Sequence, residues 1–258
     1  MKAKKSLGQN FLIDNNIINK INDSINATSN DLIIEIGPGM GALTKYLKIK
    51  NANIICYEID KDMIPYLNKL VDDKTKVIYE DILNANIKED IKNIKYDKLY
   101  IVGNLPYYIT TSIIKYLISL DLEIEEMIFM VQEEVADRFS SLPGNKDYGS
   151  ITLFLKYYFN VEKLFKVSKY CFNPVPKVES AIIKFSKKEN NLEIDKEKYF
   201  NLINDSFKMK RKTLKNNLSN YNFELVKEVL NRYNLEENIR AEELSEEIFI
   251  DITKELFK

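Results

Sequence analysis

The stretch Leu32-Ile33-Ile34-Glu35-Ile36-Gly37-Pro38-Gly39-Met40-Gly41 decides the fold. Its first five residues are apolar but for Glu35, too short a run for a helix and rich in the β-branched side chains of a buried strand. The run stops at three glycines packed into five positions. The chain has only seven glycines in 258 residues, against about 7% in an average domain, so the concentration is local. A glycine turn directly after a strand brings backbone close to a ligand and aims helix N-terminal N–H groups at it. Without a ligand, the same residues make a tight strand-to-helix connection.

Working outward, strands and helices alternate. A helix follows the glycines through Leu43 and Leu47; then come a strand at Ile54–Tyr57 and a helix with Met63, Leu67, Leu70 and Val71 on one side. A strand at Val77–Tyr79 ends at Glu80-Asp81. Another at Lys98–Val102 leads by a loop into a helix capped near Thr111 and carrying Ile114, Leu117 and Ile118. Upstream, Asp14 caps a helix whose Ile17, Ile18, Ile21 and Ile25 form one stripe. Ile128–Val131, Ile151–Tyr158 and Ala181–Phe185 supply three more strands. This alternation predicts an α/β fold with a mostly parallel seven-stranded sheet, covered on both faces, its last strands antiparallel. Beyond Lys187 the periodicity is helical, and Lys187-Lys188-Glu189-Asn190-Asn191 reads as a linker. The expected domains are residues 1–187 and a small all-helical domain, 188–258.

Composition removes whole classes of chemistry. Charge nearly cancels, 38 basic against 39 acidic side chains, and there is no His. That excludes Ser-His and Cys-His nucleophilic machinery, His-containing zinc deaminase centres and His-ligated metals. Cys56 and Cys171 are too few for a four-Cys zinc site and read as reduced thiols of a cytoplasmic protein, so no metal is expected. The N-terminus is basic and lacks an apolar signal core. The longest uncharged run, Leu99 to Ile114, is short and interrupted by Gly103, Asn104 and Pro106, so no membrane partner is expected.

Two ligand classes compete for the glycine turn. A dinucleotide fingerprint is G-x-G-x-x-G, whereas here Gly37, Gly39 and Gly41 alternate, with Pro38 adding rigid bulk where a pyrophosphate would lie. Glu58, at the end of the second strand, is placed for ribose hydroxyls in either class. Glu35 suits an amine-bearing or positively charged ligand better than a phosphate. S-adenosylmethionine carries an amino acid end and a sulfonium, and Asp81, ending the third strand, can take its adenine amino group. Singly these acids are ordinary strand ends; together at successive strand termini they form a crevice site.

Asn104-Leu105-Pro106-Tyr107 follows the fourth strand. An exocyclic adenine amine is a poor nucleophile because its lone pair is delocalised. Two carbonyl acceptors, the Asn104 side chain and the main chain near Pro106, can hold its hydrogens and favour a pyramidal nitrogen, while Tyr107 offers a stacking face. No general base is required before methyl transfer, so the absence of His costs nothing. Alignment of the reacting atoms, worth at most about 7–11 kcal/mol, must carry much of the catalysis.

The sequence resembles the small-subunit ribosomal RNA adenine N6,N6-dimethyltransferases along nearly its whole length. The match runs through Leu7-Gly8-Gln9-Asn10-Phe11-Leu12, Ile34-Glu35-Ile36-Gly37-Pro38-Gly39, Glu58-Ile59-Asp60 and Gly103-Asn104-Leu105-Pro106-Tyr107-Tyr108-Ile109. It continues through Met130-Val131-Gln132-Glu133-Glu134, Tyr148-Gly149-Ser150, Phe172-Asn173-Pro174-Val175-Pro176-Lys177-Val178-Glu179-Ser180 and Arg211-Lys212-Thr213-Leu214. The resemblance implies a Rossmann-like S-adenosylmethionine-dependent domain followed by a small helical one. It implies contacts to the cofactor from Asn10, Leu12, Gly37, Glu58, Asp81 and Asn104, in a site shaped by Gln9, Glu35, Gly39 and Gly41. Asn104, Leu105, Pro106 and Tyr107 would hold the target adenine, with Phe172, otherwise a core aromatic, closing on its other face. The implied reaction dimethylates N6 of two adjacent adenines in a 3′-terminal hairpin loop of small-subunit rRNA.

An RNA enzyme without excess positive charge needs local basic patches. Lys2, Lys4 and Lys5 form one, of which Lys4 and Lys5 are taken as RNA contacts. Lys208, Lys210, Arg211, Lys212 and Lys215 form another; on a helix Lys208, Arg211 or Lys212, and Lys215 fall on one face with Phe207, Leu214 and Leu218 inward, and acids such as Glu236 and Glu237 are expected to turn away from RNA. The low basicity implies that an assembling 30S-type subunit, not bare RNA, is the partner; a monomer is expected. The rival readings are the related large-subunit rRNA methyltransferases of macrolide resistance, an RNA-binding assembly factor with secondary catalysis, a DNA adenine methyltransferase and a nicotinamide dehydrogenase. Asn-Leu-Pro-Tyr and Val-Pro-Lys-Val-Glu-Ser favour the small-subunit enzyme.

Overall fold

The computed structural model describes Lys4, residues 7–189 and residues 193–258. Its elements run β1 (Phe11–Leu12), α1 (Asn15–Asp23), β2 (Leu32–Ile36), α2 (Thr44–Leu47), β3 (Asn53–Tyr57), α3 (Ile64–Leu67), β4 (Thr75–Ile78), α4 (Ile87–Ile91), β5 (Leu99–Asn104) and α5 (Thr110–Ser119). They continue with β6 (Ile124–Gln132), α6 (Glu133–Phe139), α7 (Ser150–Tyr158), β7 (Phe159–Val167), β8 (Phe172–Asn173), β9 (Ser180–Lys187), α8 (Lys196–Ser206), α9 (Leu214–Asn217), α10 (Phe223–Arg232) and α11 (Glu246–Leu256). Among these residues no helix is long and apolar enough to cross a membrane.

Seven strands form one sheet in the order β4-β3-β2-β5-β6-β9-β7, and β1 pairs with β8 in a separate two-stranded ribbon. The pairs β4-β3, β3-β2, β2-β5 and β5-β6 are parallel and β6-β9 is antiparallel. All five residues of β2 are buried, as a central strand covered on both faces requires. The chain leaves β2 for β3 on one side and later returns to β5 on the other. The sheet order therefore reverses at β2, and a crevice opens beyond the carboxyl ends of β2 and β5.

Asp14 caps α1 as expected, accepting from the N–H groups of Asn16 and Ile17 at 2.8 and 3.2 Å. The expected strand at Ile151–Tyr158 is instead α7. Its run Ile151-Thr152-Leu153-Phe154-Leu155 is apolar enough to fit either period. The helix is fixed locally by the Thr152 hydroxyl, which accepts from the Gly149 N–H and donates to the Arg138 carbonyl. The seventh strand is β7, whose charged Glu162, Lys163 and Lys166 mask an edge strand.

The chain divides into two compact units. The first contains residues up to Ala136 together with Glu162–Lys187; the second contains Asp137–Val161 and Lys188–Lys258. The expected division at 187/188 thus omitted an earlier excursion. Tyr148 and Leu153 from that excursion share a core with Tyr199, Leu214, Leu230 and Phe249. Asn190 and Asn191 of the expected linker lie outside the described residues.

Candidate functional site

A cavity of about 270 Å³ opens at the carboxyl ends of β2 to β5 and beneath the N-terminal segment. The glycine turn forms one wall. Gly39 has φ +57°, and its N–H donates to Glu58 Oε2 at 2.9 Å. A Cβ there would come within 3.2 Å of the Phe11 ring, so only glycine lets that ring lie against the turn. Gly37 lines the cavity; Gly41, expected to do so, does not. It is buried behind the turn, where an added Cβ would strike Leu70.

The carboxylates are the site's main electrostatic feature. Glu58 is 5% exposed, and its second oxygen accepts the Asp60 N–H at 2.8 Å. Burial raises its pKa against the lowering effect of these backbone bonds. Glu35 is 2% exposed; its Oε2 accepts the Thr44 hydroxyl at 2.6 Å, tying β2 to the start of α2, and lies 3.6 Å from Cys56 Sγ. Desolvation lifts Glu35 to about 7, opposed by the Thr44 and Cys56 bonds and assisted by the Glu58 charge. Asp81 also lines the cavity, its Oδ1 accepting the Leu83 N–H at 3.0 Å, with Glu80 beside it. Among the described residues the wall carries these acids and no Lys or Arg.

Gln9, Asn10 and Leu12 come from the segment that covers the cavity. Gln9 Nε2 donates to Asp60 at 2.6 Å, and its Oε1 accepts the Lys4 N–H at 2.8 Å. Lys4 Nζ pairs with Asp60 at 2.6 Å and with Asp62 at 2.5 Å. Burial pushes the Asp60 carboxyl up, but the bonds from Lys4 and Gln9 outweigh it and hold the group below its usual value. Lys4, expected to meet RNA, is therefore engaged with acids near the cavity; Lys5 lies outside the described residues.

On the opposite wall Asn104, Leu105, Pro106 and Tyr107 all reach the cavity. Asn104 Nδ2 donates to the Asn10 carbonyl at 2.9 Å, leaving Oδ1 as its acceptor. The Pro106 carbonyl already accepts from the Ile109 N–H and the Thr110 hydroxyl, each at 3.2 Å. Phe172 is not on the wall. It is 1% exposed, pairs with Leu12 through the β1-β8 ribbon and packs in the core with Val167 and Ile182. Strand pairing turns it into the core, the plain reading of a lone aromatic.

In the second unit the expected basic helix is a turn. Lys208, Lys210, Arg211 and Lys212 are all exposed between α8 and α9. Asn217 supplies the bonds that a continuous helix would have made, accepting from the Met209 N–H and donating to the Ser206 and Met209 carbonyls. Leu214 and Leu218 are buried as expected. Lys215 pairs with Glu237 at 3.0 Å, so that acid sits beside the patch instead of away from it.

Several wall residues escaped the sequence reading. Phe11 belongs to a strand too short to show periodicity, and Tyr108 is 66% exposed beside the more conspicuous Tyr107. Ile59 is 49% exposed next to Glu58. An apolar residue directly after the acid that ends a strand was the available signal in the sequence.

Comparison with known proteins identifies the family. The profile of the ribosomal RNA adenine dimethylase family matches residues 1–258. The chain is 40% identical to the ribosomal RNA small subunit methyltransferase A of Staphylococcus aureus strain N315, over 98% of this chain and 89% of that protein. A crystal structure of a dimethyladenosine transferase from Plasmodium falciparum superposes with a TM-score of 0.78 at 26% identity, covering 94% of this chain and 95% of the other. The fold is shared with a 23S rRNA methyltransferase, ErmE, at a TM-score of 0.77 and 24% identity, covering 96% and 100% of the two chains. With the glycine turn, the acid-lined cavity and Asn104 to Tyr107 on its wall, this chain belongs to the ribosomal RNA adenine dimethylase family.

Proposed function

We propose that the protein dimethylates N6 of two adjacent adenines in the 3′-terminal hairpin loop of small-subunit rRNA, using S-adenosylmethionine, and that it does so in the cytoplasm on an assembling 30S-type particle. The observation that carries the cofactor assignment is the cavity wall of Glu35, Glu58, Glu80 and Asp81 without a Lys or Arg among the described residues. Such a wall disfavours a dinucleotide pyrophosphate and fits a ligand that is a net cation. The helix after the turn begins only at Thr44 and is four residues long, which also weakens it as a phosphate site. When bound, S-adenosylmethionine supplies an electrophilic methyl group on a sulfonium.

The chain's own groups do the rest. Glu58, held by two backbone N–H groups, receives ribose hydroxyls; Ile59 offers an apolar face and Asp81 an acceptor for the adenine end. Gln9, Asn10 and Leu12 cover the donor, and Gly37 and Gly39 give its amino acid end room. Asn104 Oδ1 and the Leu105 carbonyl accept the two N6 hydrogens of the target adenine, since both lone pairs of the Pro106 carbonyl are taken. Tyr107 stacks on the base. Lys208, Lys210, Arg211 and Lys212 meet RNA phosphates.

The test is methyl transfer from labelled S-adenosylmethionine to undermethylated 30S and 50S subunits separately, followed by nucleoside analysis. Dimethyladenosine from 30S alone supports the assignment. Product from 50S transfers it to the resistance-type reaction, and 30S binding without product leaves an assembly factor.

A further inference from the structure

Ser180 opens β9 and is fully buried, and its Oγ lies 2.6 Å from the phenolic oxygen of Tyr107. It is anchored to a part of the molecule with little freedom to move. β9 lies between β6 and β7 in the sheet, and Ser180 is in register with Gln132. The preceding residue is held twice: the Glu179 carbonyl accepts the Glu133 N–H at 3.0 Å, and its carboxylate accepts the Lys169 N–H at 2.8 Å. Tyr107, in contrast, sits in the loop after β5 and half-buried on the cavity wall. A ring on a loop is fixed at its Cα and free to tilt about two side-chain torsions. A hydrogen bond at the far end of the ring removes that freedom.

We propose that Ser180 is a positioning residue for methyl transfer: its hydroxyl, carried on the sheet, fixes the plane of the Tyr107 ring against which the target base stacks. The inference rests on the proposed role of Tyr107. Ser180 touches neither donor nor base; it acts through Tyr107 on the alignment of the adenine nitrogen, where small displacements are costly. Its influence therefore falls on turnover and not on donor affinity.

The test compares S180A, S180T, Y107F, Y107A and the S180A/Y107F double variant, each checked for cooperative melting. Turnover on undermethylated 30S subunits and calorimetric binding of S-adenosylmethionine are measured for each. Loss of one net hydrogen bond predicts that S180A and Y107F each lower turnover by about tenfold, with donor affinity within about twofold of wild type. Because both remove the same bond, the double variant falls no further than either single one. S180T keeps the hydroxyl and recovers all but about threefold of the loss. Full turnover in S180A, multiplying losses in the double variant, or a parallel loss of donor affinity would each overturn the proposal. Y107A separates it from the underlying reading. If Y107A retains turnover, Tyr107 is not the stacking face; if Y107A is inactive while S180A is unimpaired, only the positioning role of Ser180 fails.

Discussion

Asn104 Nδ2 donates to the main-chain carbonyl of Asn10 at 2.9 Å, so a residue at the end of β5 takes its orientation from the N-terminal segment across the cavity. The amide can face only one way while that bond holds, and its Oδ1 is the atom offered to the adenine amine. N104D keeps the shape but puts a carboxylate against the Asn10 carbonyl. Turnover is expected to fall at least about 100-fold, with donor affinity less affected. Single-turnover kinetics beside calorimetry checks this, and wild-type turnover in N104D would remove Asn104 from the reaction.

Glu58 joins the glycine turn to the expected ribose position. E58A loses the charged acceptor and also strands the Gly39 and Asp60 N–H groups. Donor binding should weaken by about 1.5–3 kcal/mol, and E58Q should lie between. Equal affinities in all three proteins would place the ribose elsewhere.

Glu35 predicts a pH dependence of stability. Its folded value, about 7, lies above its ordinary 4.5. Between those values the folded protein keeps a proton that the unfolded chain has released. Stability thus declines as pH rises through this window and levels off above it, by an amount of order 3 kcal/mol. Glu58 is raised too and slopes the same way. E35Q should flatten the decline while keeping an acceptor for Thr44, which urea unfolding at pH 5 and pH 8 would reveal. An unchanged slope would mean that Glu35 is ionised when buried.

Lys4 and the 208–212 turn should behave differently. K4A loosens the segment over the cavity and should weaken donor binding by about two- to fivefold, leaving the salt dependence of RNA binding intact. Reversing Lys208, Arg211 and Lys212 together should do the opposite. It weakens subunit binding and lowers the salt slope by about 0.7–0.9 for each phosphate that is no longer neutralised. A salt slope that shifts in K4A instead would return Lys4 to the RNA surface.

The parts of the fold legible in the sequence were those written in short-range pattern. Leu32–Ile36 with its glycines, the Asp14 cap and the acids ending successive strands each carry their own local signal. What stayed hidden depended on distant partners. Ile151–Leu155 fits two periods, and the Thr152 hydroxyl bonds to Gly149 and Arg138, with packing of Leu153 beside Tyr199, decide for a helix. The 208–212 turn depends on the Asn217 side chain, which reaches back across it. Lys4 looked like a solvent-facing cation because Asp60 and Asp62 lie more than fifty residues away. The family resemblance implies Phe172 at the pocket, whereas its pairing with Leu12 keeps it in the core.

The detour of Asp137–Val161 into the second unit has a practical corollary for recombining this enzyme with its relatives. The helical body is not an appendix that can be cut off or grafted at one junction. A transplant ending at Lys187 would part Tyr148 and Leu153 from the helices that enclose them. Chimeras exchanging the helical body need breakpoints near 136/137, 161/162 and 187/188 together, so that each body travels with all of its own chain.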